Sequence, residues 1–384
     1  MMTDPASPWS PLADSERRVV LELLVHGPLA RTELADRLRL SAPSLTRLTR
    51  PLLTAGIIGD ALDAPTHTGG RPLQPLAVDP DLQHFVGIKL TGSQIHGVLT
   101  NLRADIETST VEDIEDRSPE AVTTQLSDVV TRLTRTTSPA AVGIGLGGVV
   151  RDSTLVHRAP FLLWHDVDLG EMVSRATGLP CIISNDLDAL MEAEHWFGDG
   201  RDVRSFATLT IGAGVGGGLI IHDRLVTGTD SGIGLLGHFP LDPFGPACPD
   251  GHRGCAMAML TSESMRAQAM MLLGRPVGYE DLLDMAQLGD PVVDQVVGRS
   301  AHALGVLIAA VANIAQPERI ILTGEGIRLA HVGRHRMEEA IRQSRDPLAS
   351  DLDLRIIDED PFLWARGAAA VAIQRTVLEG LAPE

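Results

Sequence analysis

Residues 206–221 read FATLTIGAGVGGGLII, two apolar runs joined by a seven-residue segment that contains five glycines. The apolar runs are rich in β-branched residues, so we predict a strand on each side of the segment. Backbone that lacks side chains could wrap a phosphate with its N–H groups, and Gly214, Gly216 and Gly217 are placed to do so. A glycine-rich β-hairpin packed against a neighbouring strand would read the same way. Both interpretations stay open on this segment alone.

Strand and helix patterns alternate on both sides of this segment. Apolar runs typical of strands lie at residues 85–90, 95–99, 141–146, 181–184, 319–322 and 354–357. Helical patterns lie at residues 120–133, 169–177, 256–273, 291–315, 329–342 and 362–378. This alternation is typical of α/β proteins. Two such series in tandem predict two lobes: lobe one, about 81–187 plus the C-terminal helix 362–381, and lobe two, about 188–361.

The first 80 residues have a different pattern. Residues 1–13 hold three prolines and no apolar period, which predicts a mobile tail. Three short helices follow, and Ser41 can cap the third, which begins at Ala42. Strand-like residues then flank the loop that contains Gly70-Arg71-Pro72. We therefore predict an α+β winged helix-turn-helix over residues 14–80, with this loop as the wing.

The third predicted helix has an apolar face and a polar face. Leu45, Leu48 and Leu52 recur at helical spacing and are expected to be buried. The opposite face can enter a DNA groove, with Arg71 in the wing reaching a narrow minor groove. The expected DNA-binding residues are Ser41, Ser44, Thr46, Arg47, Arg50 and Arg71. The alternative is a three-helix interaction module with a solvated arginine face.

Charge and cysteine content restrict the possible partners and the compartment. The formal net charge is -18, but residues 1–80 carry eight arginines against nine acidic residues. Nucleic-acid contact would therefore be local to this module, because the acidic remainder repels phosphate. Three cysteines do not make a disulfide framework, and the longest apolar stretch, near residues 303–315, is too short to span a bilayer. We expect a cytoplasmic protein without a membrane segment.

Several motifs, taken together, identify a family. Ser184-Asn185-Asp186 ends a predicted strand, Gly237-His238 follows the glycine-rich segment, and residues 248–255 read CPDGHRGC. With Gly70-Arg71-Pro72 and Thr323-Gly324-Glu325-Gly326, they resemble the ROK family of sugar kinases and of sugar-responsive regulators that carry an N-terminal winged helix-turn-helix. The resemblance extends from about Arg17 to the C-terminus. It implies the actin-like ATPase fold of two ribonuclease-H-like lobes, with Gly324 and Gly326 joining the phosphate-loop glycines.

The first phosphate loop departs from the family pattern. Family members have an Asp or Glu at the position where this chain has Lys89, its only lysine. A carboxylate there helps to place magnesium and the phosphates, and a cation cannot replace it in metal binding. The resemblance makes Asp186 the counterpart of the kinase general base. We expect it to be vestigial, with no catalytic residue and no use of ATP.

The expected effector site also departs from the family pattern. The resemblance makes Asn185 a sugar contact and places Asp186 and His238 beside it. Two glutamates that grip sugar hydroxyls in the family are replaced by Leu235 and Met257. Each loss leaves hydroxyls unpaired at about 1–3 kcal/mol per group. We expect an effector other than an ordinary hexose, or no effector.

A structural zinc site is also implied by the resemblance, because the family uses the Gly-His histidine and three loop cysteines. His238, Cys248 and Cys255 are retained, whereas the remaining cysteine is replaced by Asp250. Either Asp250 or His252 could supply a fourth ligand, since zinc accepts carboxylate and imidazole. The competing interpretation is a loop that has lost its zinc.

The function expected from these observations is that of a DNA-binding transcriptional regulator of the ROK family, a repressor with a degenerate sugar-kinase-like effector domain. We expect a homodimer or higher homo-oligomer on double-stranded DNA, and therefore an inverted-repeat operator. One alternative is an active ATP-dependent sugar kinase with an appended DNA-binding module. Another is a regulator with a vestigial pocket that is controlled by a protein partner.

Overall fold

The computed structural model describes residue 9 and residues 12–61 and 75–379, and the chain forms two compact units. The first unit comprises Met1–Arg201 and Pro361–Glu384, and the second comprises Asp202–Asp360. The predicted wing and most of the predicted tail lie outside the described residues. The division falls after Arg201 rather than at 187–188, because the helix that follows Asn185 packs against the C-terminal helix of the first unit.

Helices and strands alternate along most of the described chain. The helices are α1 (Asp14–His26), α2 (Arg31–Leu38), α3 (Ala42–Thr54), α4 (Pro119–Leu133), α5 (Leu169–Thr177), α6 (Asp186–Phe197), α7 (Ala256–Leu260), α8 (Ser262–Leu273), α9 (Tyr279–Gln287), α10 (Pro291–Ala315), α11 (Arg328–Val332), α12 (Arg334–Gln343) and α13 (Leu363–Glu379). The strands are β1 (Ile58–Asp60), β2 (Leu76–Val78), β3 (His84–Leu90), β4 (Gln94–Thr100), β5 (Ile106–Asp113), β6 (Pro139–Leu146), β7 (Val149–Arg151), β8 (Leu155–Ala159), β9 (Trp164–Val167), β10 (Cys181–Asn185), β11 (Phe206–Ile211), β12 (Val215–Ile221), β13 (Arg224–Leu225), β14 (Arg319–Thr323) and β15 (Leu354–Ile356).

Helices α1–α3 and the antiparallel pair β1–β2 form the N-terminal part of the first unit. Ser41 begins α3 as predicted, since its Oγ accepts a hydrogen bond from the Ser44 backbone N–H at 3.3 Å. Pro51 lies inside α3 and removes one backbone donor, yet the helix continues to Thr54. The three predicted helices are therefore present, and a two-stranded sheet follows them.

The N-terminal elements share one core with the rest of the first unit. Buried side chains of α1–α3 and β2 join Phe85 on β3 and Ile373 and Val377 on α13 in a single apolar cluster. Trp9 is an exception to the predicted tail, because its ring is buried and its Nε1 donates to the Gln83 side chain at 2.6 Å. The module is therefore packed directly onto β3 and α13.

The main sheet of the first unit has the strand order β10-β6-β3-β4-β5. Strands β3, β4 and β5 run antiparallel, whereas β6 and β10 run parallel to β3. Helices α4 and α5 cover one face, and α13 and α6 cover the other. Strands β7, β8 and β9 form a separate antiparallel sheet. The carboxyl ends of β3, at the centre of the sheet, and of β10, at its edge, carry Lys89 and Asn185.

Two glycines let α13 lie directly on this sheet. A Cβ at Gly143 on β6 would be 2.0 Å from the Ala368 carbonyl oxygen, and one at Gly87 on β3 would be 2.1 Å from the Ala365 carbonyl oxygen. No side chain larger than hydrogen fits at either position without moving the helix. The first turn of α13, which contains Trp364, is thereby held over the end of β3.

The sheet of the second unit repeats the topology of the first. Its strand order is β13-β12-β11-β14-β15, with β12 antiparallel to β11, β13 antiparallel to β12, and β14 and β15 running parallel to β11. In both sheets the first strand is central, an antiparallel meander extends to one side and two parallel strands extend to the other. Two copies of this topology are what the predicted actin-like fold requires.

Helix α10 is the central helix of the second unit. It has 25 residues, and a stretch of it has a mean hydropathy of 1.4, so by length and composition it could cross a membrane. Within the structure, however, 61% of that stretch is buried. Its apolar residues, among them Leu304, Leu307 and Ile308, pack into the core of the second unit. We therefore interpret α10 as a core helix of a globular unit.

Candidate DNA-binding, effector and metal sites

The two predicted DNA-contacting arginines of α3 are exposed. Neither the Arg47 nor the Arg50 guanidinium forms an ion pair or a hydrogen bond with any residue that the structure describes. On the opposite face, Leu45 and Leu52 are buried, as predicted. Free guanidinium groups on one exposed helix face can form hydrogen bonds to base edges or to phosphates.

The hydroxyl groups predicted at this face are already engaged within the helix. The Ser41 and Ser44 Oγ atoms are 2.9 Å apart, and Thr46 Oγ1 donates to the Ala42 carbonyl at 2.9 Å. Each hydroxyl keeps a lone pair for a further donor. Arg71, predicted to enter a minor groove, lies outside the described residues.

In the first unit, Asn185 begins α6. Its Oδ1 accepts hydrogen bonds from the backbone N–H groups of Leu187 and Asp188, at 3.0 and 3.2 Å, and its Nδ2 donates to the Gly148 carbonyl at 2.9 Å. These bonds use the side chain as a helix cap and as a tie to the start of β7. The predicted sugar contact therefore also has a structural role, which the sequence position at a strand-to-helix step was sufficient to suggest.

Asp186 forms an ion pair with Lys89. Lys89 Nζ donates to Asp186 Oδ2 and lies 4.7 Å from the centroid of the Trp364 ring, close enough for a cation–π interaction. The two charged side chains are only 14% and 16% exposed. The other Asp186 oxygen accepts the Leu187 N–H at 2.9 Å. A cation from the chain itself thus occupies the carboxylate predicted as a vestigial base.

Two further groups define the electrostatics around this pair. His96 lies opposite Lys89 across β3 and β4, and burial together with the Lys89 charge lowers the pKa of His96. Burial, with the charges of Asp186 and Glu192, raises the pKa of Asp188 to about 6. A general base needs a lone pair directed at a substrate hydroxyl. In this arrangement Asp186 is instead neutralised by Lys89.

In the second unit, Leu235 and His238 lie on one short 3-10 helix, and Met257 is close to it. Leu235 is 64% exposed, while His238 is half-buried. The Met257 Cε is 3.5 Å from where a Cβ of Gly237 would lie. Met257 therefore lies beside the 3-10 helix that carries Leu235. Leu235 and Met257, which we expected in place of two glutamates, have apolar side chains without a carboxylate.

The glycine-rich segment is a β-hairpin, and the predicted loop is too long. Gly214 lies in the turn between β11 and β12, whereas Gly216 and Gly217 lie within β12 and pair with Thr210 and Leu209. A Cβ at Gly217 would be 2.3 Å from the Leu236 Cδ2. A side chain at 217 would displace the Leu236 side chain, which covers the strand, and this contact is not visible in the local sequence pattern.

Gly324 and Gly326 lie against the turn of this hairpin. A Cβ at Gly324 would be 2.5 Å from the Ile211 carbonyl oxygen, and Gly326 donates its N–H to the same oxygen at 2.8 Å. Glu325, between them, extends its carboxylate to the turn and accepts the Ala213 N–H at 3.2 Å. Sequence reasoning quoted Glu325 within a motif but assigned it no role.

Three of the five predicted metal ligands come together in the second unit, and Asp250 lies beside one of them. Ligand atoms of His238, Cys248 and His252 all lie within 4.8 Å of one another. The Cys248 Sγ is 3.6 Å from His252 Nδ1 and 3.9 Å from His238 Nδ1, and Asp250 Oδ2 is 3.5 Å from His238 Nε2. A set of two imidazoles and a thiol fits a divalent metal ion of the zinc type.

The two cysteines of this cluster differ in acidity. Burial acts to raise the pKa of Cys248, but hydrogen bonds from the His252 side chain and from the Asp250 and His252 backbones outweigh it, so this pKa is lowered. Burial, together with the neighbouring Cys248, raises the pKa of Cys255. Because the thiolate is the form that binds metal, Cys248 is the better prepared ligand.

Comparison with known proteins agrees with this architecture. The family model described as "ROK family" matches residues 85–374. The chain is 27% identical over 346 residues to the DNA-binding transcriptional repressor Mlc of Escherichia coli, covering 84% of each chain, and 25% identical over 315 residues to the xylose repressor of Bacillus spizizenii, covering 80% of this chain and 81% of that one. The crystal structure of a ROK family transcriptional regulator superposes with a TM-score of 0.78 at 26% identity, covering 96% of this chain and 99% of that one.

Kinases of the same fold are also similar to the ROK-matched region. A glucokinase of Thermotoga maritima is 30% identical over 264 residues, covering 64% of this chain and 83% of that one. The repressors and the regulator structure extend over more of this chain than the glucokinase does. The repeated sheet topology, the Asn185-Asp186 step and the match over residues 85–374 lead to one conclusion: the chain belongs to the ROK family.

Proposed function

We propose that this chain is a DNA-binding transcriptional repressor whose N-terminal winged helix-turn-helix, residues 14–80, is controlled by kinase-like units that no longer phosphorylate. The observation that carries the proposal is the pairing of an exposed, arginine-bearing α3 face with a neutralised Asp186. Similarity to proteins named as repressors, at about four-fifths coverage of each chain, supports it.

The proposed DNA contacts are made by one face of α3 and by the wing. Arg47 and Arg50 would reach base edges or phosphates, Ser41, Ser44 and Thr46 would contact the backbone, and Arg71 would enter a minor groove. A homodimer would place two such faces on an inverted repeat with half-sites separated by whole helical turns. Because the net charge is -18, non-specific DNA binding should be weak.

The kinase alternative is less well supported by the geometry. A phosphoryl-transfer enzyme of this kind needs a free base and a carboxylate that helps to organise magnesium. Here Lys89 takes the place expected for the magnesium-organising carboxylate, and it forms an ion pair with Asp186, the expected base. The similarity to a glucokinase favours the kinase fold, which a regulator built on that fold would equally retain.

The proposed effector is not an ordinary hexose. In the first unit Asn185 and Asp186, and in the second Leu235, His238 and Met257, are the residues that we propose to contact it. Leu235 and Met257 present apolar surface in place of acceptors, which favours a ligand with fewer hydroxyls. The alternative is that a protein partner, rather than a small molecule, transmits the signal. It is supported by Lys89, which already pairs with Asp186, one of the proposed effector contacts.

We also propose that the His-Cys cluster holds structural zinc. His238, Cys248 and His252 would be ligands, with Cys255 or Asp250 completing the set. The metal would supply a cross-link between the 3-10 helix and the loop 248–255. We further propose that the protein works in the cytoplasm, because its three cysteines are free and free thiols persist in a reducing compartment.

The experiment is a binding titration on an operator selected from random duplex DNA by the full-length protein. Replacing Arg47 with Ala should weaken binding about 5- to 150-fold, since a base-contacting arginine contributes about 1–3 kcal/mol. The matched control is Arg334→Ala on α12, an exposed arginine of the second unit, which should bind like the parent. Failure of the parent to select any sequence, or full affinity of Arg47→Ala and Arg50→Ala, would contradict the proposal.

A further inference from the structure

The turn of the glycine-rich hairpin is in contact with a side chain from a distant part of the second unit. Glu325 follows β14, and its carboxylate Oε2 accepts the Ala213 N–H at 3.2 Å. A Cβ added at Gly212 would be 2.0 Å from that same oxygen, so glycine at 212 leaves room for the carboxylate. The carboxylate therefore lies against backbone that carries no side chain.

A carboxylate in this position resembles a bound anion. Successive backbone N–H groups in a glycine-rich turn form a concave site that favours negative charge, and phosphate is its usual occupant. Here the negative charge comes from the chain itself and uses a donor that a phosphate oxygen would need. The Gly326 N–H donates to the Ile211 carbonyl at 2.8 Å, and the Gly212 N–H donates to the Gly214 carbonyl at 3.0 Å, so both are also engaged.

The charges around the turn act in the same direction. Glu359 lies near both Glu325 and Glu280, and burial, followed by the charges of these two carboxylates, raises the pKa of Glu359. Arg328 is a neighbouring cation, but it is paired with Glu280 at 2.5 Å and with Asp284. A polyphosphate that approached the turn would therefore meet uncompensated negative charge.

We propose that the exposed carboxylate of Glu325 acts as an intramolecular anion, which binds the glycine-rich turn and prevents a phosphate from binding there. The inference rests on the proposed function and deepens it, because it names the residue that excludes a nucleotide from the second unit. In the first unit Lys89 has the corresponding role for a cation, since its ammonium group binds the carboxylate of Asp186. Lys89 thus replaces the positive charge of the metal ion, and Glu325 replaces the negative charge of the phosphates.

The test measures tripolyphosphate binding to the full-length protein by calorimetry at constant, low ionic strength. Tripolyphosphate carries the phosphate chain without a base or a sugar, and any binding to the arginine face of α3 is common to the parent and the variants, so the difference between them reports on the turn. Any binding by the parent should be weak, and Glu325→Ala should bind with a dissociation constant at least tenfold below that of the parent. Glu325→Gln keeps the side-chain volume and loses the charge, so it should give a smaller gain and decides the matter if the alanine variant does not fold.

The matched control is Glu339→Ala, which removes one negative charge from the surface of α12, where the Glu339 carboxylate accepts a hydrogen bond from Gln343 Nε2 at 3.1 Å. It should bind like the parent. No gain in either folded Glu325 variant, or an equal gain in Glu339→Ala, would each overturn the proposal. DNA binding is measured on the same preparations, because a parent that does not bind DNA contradicts the repressor function and leaves the result on Glu325 unaffected.

Discussion

Removing the positive charge of Lys89 should destabilise the first unit measurably. Both partners of the Lys89–Asp186 pair are about one-seventh exposed, and Lys89 also faces the Trp364 ring. Breaking a fully buried pair costs about 3–5 kcal/mol, and an exposed pair contributes about 0–1 kcal/mol. The residual exposure and the remaining Leu187 hydrogen bond to Asp186 place the cost of Lys89→Met at about 2–3 kcal/mol. Methionine retains the packing of the stem against Trp364.

The measurement is a double-mutant cycle with Lys89→Met, Asp186→Asn and the combination, followed by urea unfolding. Tryptophan fluorescence reports on the first unit alone, because all four tryptophans belong to it: Trp9, Trp164, Trp196 and Trp364. The double variant should lose less stability than the sum of the single variants, by about 1–3 kcal/mol. Additivity of the two substitutions within about 0.5 kcal/mol would refute the argument that the two charges stabilise each other.

Two further predictions concern a titrating carboxyl and the metal cluster. The raised pKa of Asp188, about 6 against about 3.9 in the unfolded chain, gives stability that is present below pH 4 and lost as pH rises through 6. Asp188→Asn should therefore match the parent near pH 4 and exceed it at pH 8 by up to about 2 kcal/mol in the same fluorescence assay; equal stability at pH 8 would contradict this. Purified protein should contain one zinc per chain by elemental analysis, which Cys248→Ser should lose and Cys181→Ala, in the first unit, should keep; a metal-free parent would contradict the zinc proposal.

The periodic elements could be predicted from the sequence, and the irregular ones could not. Helices α1–α3 and the central strands of both sheets carry apolar residues at the period of their own structure, so local pattern was sufficient. Strand β5 was missed, because an edge strand with mostly exposed side chains has no apolar period. Trp9 was assigned to a tail, because its hydrogen-bond partner, Gln83, and much of the apolar cluster that contains it lie far along the chain.

For the candidate site, too, the sequence predicted residue identities but not long-range contacts. The sequence predicted that Lys89 reverses a charge, because that prediction needs only residue identity and family resemblance. It did not show that Lys89 binds Asp186, or that Glu325 meets the turn at Gly212, because these contacts join residues that are about a hundred positions apart.

A site built to hold a metal and a phosphate contains a carboxylate and a set of N–H donors that are costly to leave without partners once their ligands are gone. Two substitutions would solve this problem locally. A lysine can satisfy the carboxylate, and a glutamate can satisfy the donors, without any change in the strands that carry them. Under the proposed function, the chain retains both sheets, and even Asp186, without the chemistry of a kinase. This arrangement also implies that Lys89 and Glu325 act independently, since each compensates a group within its own unit, so their stability effects should be additive.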